Sequence, residues 1–186
     1  MPRLTRVLPD YGALHITARG NNKRVVFRRR CDFKYCLGLF SGYAIRYACR
    51  IYHYVLMKTH LHLVVGVTPY SQLSKMMHGI CLQYAMRYNK VYSRIGHFWQ
   101  DRFKSFVIDD DDYLLRCGLY VERNPVRAGL VKAPEDYPWS SYNAYAFGQK
   151  DSIITLDPLY DSLGNTAEEK MAAYRRMMEV TMVNFK

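Results

Sequence analysis

An α+β fold is predicted by the order in which two periodicities follow one another: strand, helix, strand, strand, helix, strand. Residues 13–18 alternate apolar and polar side chains, and Arg50–Met57 and His60–Val67 are two runs rich in Tyr, Val and Leu. Residues 31–50 and 71–92 instead carry apolar residues at three- and four-residue spacing, as helices do. The order β-α-β-β-α-β predicts a ferredoxin-like (RRM-like) core, an antiparallel sheet with helices on one face. Its other face is expected to stay free for ligands.

The first strand ends in Arg19-Gly20-Asn21-Asn22-Lys23, whose Gly and Asn favour a turn. The second and third strands form an antiparallel pair around Lys58-Thr59. Ser71, after Pro69, is placed to cap the second helix, which runs through Tyr92 with Leu73, Met76, Met77, Ile80, Tyr84 and Tyr88 on its apolar face. Residues 102–108 return as the fourth strand. Asp109 to Asp112 precede a helical pattern through Leu114, Leu115, Leu119 and Val121. These carboxylates suit the positive end of a helix better than a metal cluster. Asn124-Pro125-Val126-Arg127-Ala128-Gly129 reads as a turn and a short helix, and residues 166–183 as a final amphipathic helix. Additional C-terminal helices thus follow the core, with a division expected between residues 1–148 and an extension at 149–186.

At 186 residues, about half of them apolar, the chain is long enough for one sizeable core. No apolar run approaches the roughly 20 residues of a membrane span, and the first six residues lack the apolar stretch of a secretory signal. A cytoplasmic, nucleoid-associated protein is expected. The five cysteines are widely spaced without a CxxC pair, so neither a zinc ribbon nor a disulfide framework is indicated. Charge is unevenly placed. Residues 1–106 hold 18 Lys and Arg against three acids, whereas residues 107–186 hold nine against 13. The basic part suits a polyanion and phosphate contacts.

That basic part also contains His60-Leu61-His62. Side chains alternate along a strand, so both imidazoles lie on one face, where they could hold a divalent cation. Arg19, Asn21, Asn22, Lys23 and Arg24 form a basic polar loop suited to a DNA backbone, and Arg102 and Lys104 alternate on one face of the last strand. His53, His15 and His78 read as structural or surface residues.

Several separated motifs resemble one family. They are His15-Ile16-Thr17-Ala18-Arg19-Gly20-Asn21, Tyr54-Val55-Leu56-Met57 leading to His60-Leu61-His62, and Gly96-His97-Phe98-Trp99-Gln100 with Arg102-Phe103-Lys104-Ser105. Tyr120 to Gly129 and Tyr137-Pro138-Trp139-Ser140-Ser141-Tyr142 complete the set. Together they resemble the REP-associated tyrosine transposases, of the single-tyrosine HUH superfamily, over residues 3–148. The resemblance implies a single-stranded DNA endonuclease and strand transferase acting at imperfect palindromic hairpins through a 5′-phosphotyrosine. It implies Mg²⁺ or Mn²⁺ held by His60 and His62, and a monomer or homodimer. The family's nucleophile opens a Tyr-x-x-aromatic-x-Asn stretch, which puts Tyr84 in that role with Asn89 as a third ligand. Tyr88 is the alternative nucleophile, and Gln83 and His97 are alternative ligands. Thr59 stands where an asparagine is usual. The Asn124–Arg127 and Trp139–Ser141 motifs are expected to be structural. A different class remains open, a hairpin-DNA-binding regulator without catalysis; a rolling-circle initiator or relaxase fits the downstream motifs poorly.

Overall fold

The computed structural model describes residues 9–109 and 111–183, and of residues 111, 112 and 181–183 the backbone only. The first six residues and Asp110 therefore lie outside the described residues, as do the side chains of Asp111 and Asp112 in the cap expected from sequence. Nine elements follow in order: β1 (Gly12–Arg19), α1 (Arg30–Arg46), β2 (Arg50–Met57), β3 (His60–Val67), α2 (Leu73–Val91), β4 (Lys104–Ile108), α3 (Asp111–Arg127), α4 (Tyr142–Phe147) and α5 (Ala167–Val183). The strands form one sheet in the order β2-β3-β1-β4, every neighbour antiparallel. This is the predicted α+β core of two interlocked split β-α-β units.

Strand pleating sorts the side chains between two cores. Leu14, Ile16, Leu61, Leu63 and Val65 pack with Phe33, Cys36 and Phe40 of α1 and with Met76, Ile80, Tyr84 and Tyr88 of α2. The opposite face carries Ala13, Val55, Met57, Val64 and Ile108, and these pack against Leu114, Cys117 and Val121 of α3. The second face is therefore partly covered, not free as the sequence suggested. A third cluster joins the outer side of α3 to α4 and α5 through Leu119, Tyr142, Tyr145, Tyr174 and Met178.

Two other expectations differ. Ser71 does not cap α2: its hydroxyl accepts the N–H of Thr68 and donates to the carbonyl of Ala48, bracing the preceding turn. Residues 124–127 are not a turn either, because α3 continues through Pro125 to Arg127. Proline has no N–H to offer the carbonyl four residues back. The side chain of Asn124 supplies that donor, its Nδ2 lying 3.1 Å from Val121 O and 3.0 Å from Tyr120 O.

The outer edge of β2 is covered by the segment that includes Trp139-Ser140-Ser141. Leu56 N–H donates to Trp139 O, Ser141 N–H to Tyr54 O, and Tyr54 N–H to Ser141 Oγ. That motif thus satisfies an edge that would otherwise be open.

The helical layer on the second face is held by a buried charge cluster. His53 Nδ1 lies 3.0 Å from Glu122 Oε1, and Nε2 lies 3.2 Å from Asp157 Oδ2. Ser141 and Tyr174 donate hydroxyl protons to Glu122. Burial alone would strip the proton from His53, but hydrogen bonds and charge from Asp157 and Glu122 outweigh it and push its pKa up to about 9. The imidazolium thereby joins β2, α3, α5 and the loop carrying Asp157.

Candidate active site

The register fixes which side chains share the α3 face. Thr17 pairs with His62 and Arg19 with His60 across β1 and β3, while Thr17 also pairs with Lys104 of β4. His60, His62, Thr17, Arg19 and Lys104, with Gln100, Asp101 and Arg102 from the segment before β4, line a cavity of about 420 Å³. Three cations against one carboxylate give it the character of an anion site.

Both histidines are neutral at pH 7. Burial, then the charge of Arg19, lowers the pKa of His60 to about 4. Burial, then His15, His60 and Arg19, lowers that of His62 to about 3. Each ring is tied at Nδ1: His60 Nδ1 lies 2.9 Å from Thr59 Oγ1, and His62 Nδ1 lies 2.9 Å from His15 Nε2. The Nε2 atoms are left as the coordinating edges of the pair, whose ring centroids are 5.0 Å apart.

The tyrosine expected to meet these histidines does not. Tyr84 lies on α2, against the opposite face of the sheet, and is 1 % exposed. Its hydroxyl donates to Val26 O at 2.8 Å, and burial drives its pKa upward. Tyr88 is equally buried and donates to Val25 O, while Tyr92 donates to Asp32. All three hydroxyls thus anchor residues 25–32 to α2. Asn89 shares that helix, so the sheet separates it from His60 and His62, although its Oδ1 is buried without a hydrogen-bond partner. Gln83 and His97 are exposed.

The tyrosine that does approach His62 is Tyr120 of α3. Its ring stands edge-on to His62 at 6.4 Å and to His15 at 6.0 Å, and it is 38 % exposed. Arg127 lies over it at 5.4 Å. Asn124, one turn further, falls about 40° around the helix from Tyr120 and therefore on the same face. Its amide nitrogen donates to the helix carbonyls of Tyr120 and Val121, which leaves Oδ1 as the atom that could meet a ligand.

The basic loop is divided. Arg19, Arg102 and Lys104 line the cavity, whereas Asn21, Asn22, Lys23 and Arg24 do not. Asn21–Lys23 make a short 3-10 turn with left-handed backbone at Asn22 and Lys23. Arg24 donates to His97 O and lies over Phe98. The loop adjoins the cavity through its backbone, with Gly20 N–H donating to Thr59 O and Gln100 N–H to Arg19 O. Trp99 donates its indole N–H to Cys81 O and packs on the helical core.

Among the described residues no three His, Cys, Asp or Glu side chains converge on a metal-sized space. A cation here would rest on His60, His62 and an amide oxygen. The residues fit such a group: two imidazole nitrogens are pre-oriented, and the amide lies on the facing helix.

The four-stranded antiparallel sheet between helical layers is the fold of a transposase family, and the comparisons say which. The family model of the IS200-like transposases matches residues 11–124, more than half of the chain. The protein belongs to that family. Its fold is similar to a REP-associated tyrosine transposase solved bound to a REP hairpin, with TM-score 0.66 and 19 % identity. That match covers 84 % of this chain and 93 % of the other. A proposed transposase from Deinococcus radiodurans matches with TM-score 0.45 and 12 % identity, over 66 % of this chain and 97 % of that one. No curated protein matches. Among the described residues, no helix is long and apolar enough to cross a membrane.

Proposed function

We propose that the protein is a metal-dependent, single-stranded DNA endonuclease and strand transferase acting at imperfect palindromic hairpins, with Tyr120 as nucleophile. The observation that carries this reading is the edge-on approach of the Tyr120 ring to His62, which itself lines the cationic cavity. His60, His62 and Asn124 would hold Mg²⁺ or Mn²⁺, and the nitrogen donors favour Mn²⁺, since Mg²⁺ prefers oxygen. When bound, the cation polarises the scissile phosphate and offsets charge developing on it.

The chain's own residues supply the rest. Arg19, Arg102 and Lys104 hold the DNA backbone by phosphate contacts. Tyr120 Oη forms a bond to phosphorus as the P–O3′ bond breaks. The phenolic proton is released, and the departing 3′ oxygen ends protonated. The product is a 5′-phosphotyrosine and a free 3′-hydroxyl, and attack by another 3′-hydroxyl reverses the step and joins strands. A hairpin as substrate is supported by the REP hairpin bound to the structurally similar transposase.

The test is a covalent-adduct assay with labelled single-stranded hairpin oligonucleotides and Mn²⁺. The adduct is expected to vanish in Tyr120→Phe, His60→Ala and EDTA, and to persist in Tyr84→Phe. Loss in Tyr84→Phe with retention in Tyr120→Phe would overturn the assignment. Hairpin binding without adduct across varied sequences would favour a non-catalytic regulator.

A further inference from the structure

We propose that His15 is a positioning residue that sets the tautomer of His62, presenting His62 Nε2 as an unprotonated edge to the cation site. The inference rests on the cation-site reading above.

His15 lies on β1 opposite Val64, which makes it the diagonal neighbour of His62 on the same sheet face. Its Nε2 is 2.9 Å from His62 Nδ1, and the two rings are inclined by only 12°. One proton lies between the two nitrogens. If His15 donated it, His62 Nδ1 would be the acceptor, the His62 proton would sit on Nε2, and that edge could not bind a cation. If His62 donates it, Nε2 keeps its lone pair. The second arrangement has a parallel at His60, whose Nδ1 lies 2.9 Å from the Thr59 hydroxyl oxygen, an atom able to accept a proton from it. Each candidate ligand therefore has behind its Nδ1 a group able to accept a proton, as metal-binding imidazoles usually do.

His15 is held for this task. Its ring contacts Phe106 at 6.3 Å and Tyr120 at 6.0 Å, which limits its swing away from His62. It does not join the same coordination shell, because its Nε2 faces the Nδ1 edge of His62 rather than the coordinating edge. This places a third histidine of the sheet in a role that neither ligation nor core packing describes.

The experiment combines long-range ¹H–¹⁵N NMR of the imidazoles in metal-free protein with calorimetric Mn²⁺ titration. Wild type is expected to show His62 protonated at Nδ1. His15→Phe should redistribute that proton towards Nε2 and weaken Mn²⁺ binding by about 10- to 100-fold. His15→Gln, whose side-chain oxygen can replace the acceptor, should restore most of both. A wild-type His62 protonated at Nε2 would overturn the proposal even if His15→Phe failed to fold. So would a folded His15→Phe with unchanged tautomer and Mn²⁺ affinity. Absence of Mn²⁺ binding with the expected wild-type tautomer would overturn the cation-site reading while supporting the positioning role.

Discussion

At the scale of single residues, exposure and face separate two tyrosines that the sequence makes look alike. Tyr84 offers no accessible hydroxyl: it is 1 % exposed and bonded to Val26 O. Replacing it by Phe should cost about 1 kcal/mol of stability through the lost hydrogen bond, measured by urea unfolding, and leave DNA cleavage in place. The clue available in the sequence was spacing. Tyr84 and Asn89 are five residues apart, which puts them about 140° apart around a helix, whereas Tyr120 and Asn124 share a face. The histidine pair was legible because strand alternation fixes a shared face. Which face that is could not be read, since nearly every residue of β3 is buried.

Among the elements, α3 changes the account most. The core strands and helices were readable from periodicity. Helix α3 was legible as far as Val121, but its packing on the second face was not, and its last turn was hidden by Pro125, whose usual helix-breaking effect is offset locally by the Asn124 amide. The burial of both faces of β2 and β3 explains their near-continuous apolar runs, a pattern that calls for a second layer. The fit of that layer is tight at Gly118, where a Cβ would stand 2.4 Å from His53 Nε2. Gly118→Ala should therefore destabilise the protein by roughly 1–3 kcal/mol, although alanine is the better helix former. A thermal melt that is unchanged or raised would contradict this packing.

For the whole molecule, the C-terminal segment is tied to the sheet by charge as well as by apolar packing. The raised His53 pKa means that its contribution is fully present below the unfolded value near 6.5. It is lost as pH rises through about 9. His60 and His62 act in the other direction in metal-free protein, because their lowered values favour the fold until pH drops below about 6.5. Urea unfolding across pH should give a maximum near neutrality. His53→Gln should flatten the alkaline side selectively.

The cationic cavity, and the tyrosine beside its His62, lead to one expectation, that DNA becomes joined to α3 rather than to α2. Mass-spectrometric mapping of the covalent hairpin adduct tests it most directly. A phosphotyrosyl peptide containing Tyr120 is expected, with Tyr84, Tyr88 and Tyr92 unmodified. A nucleotide on any of those three would contradict it.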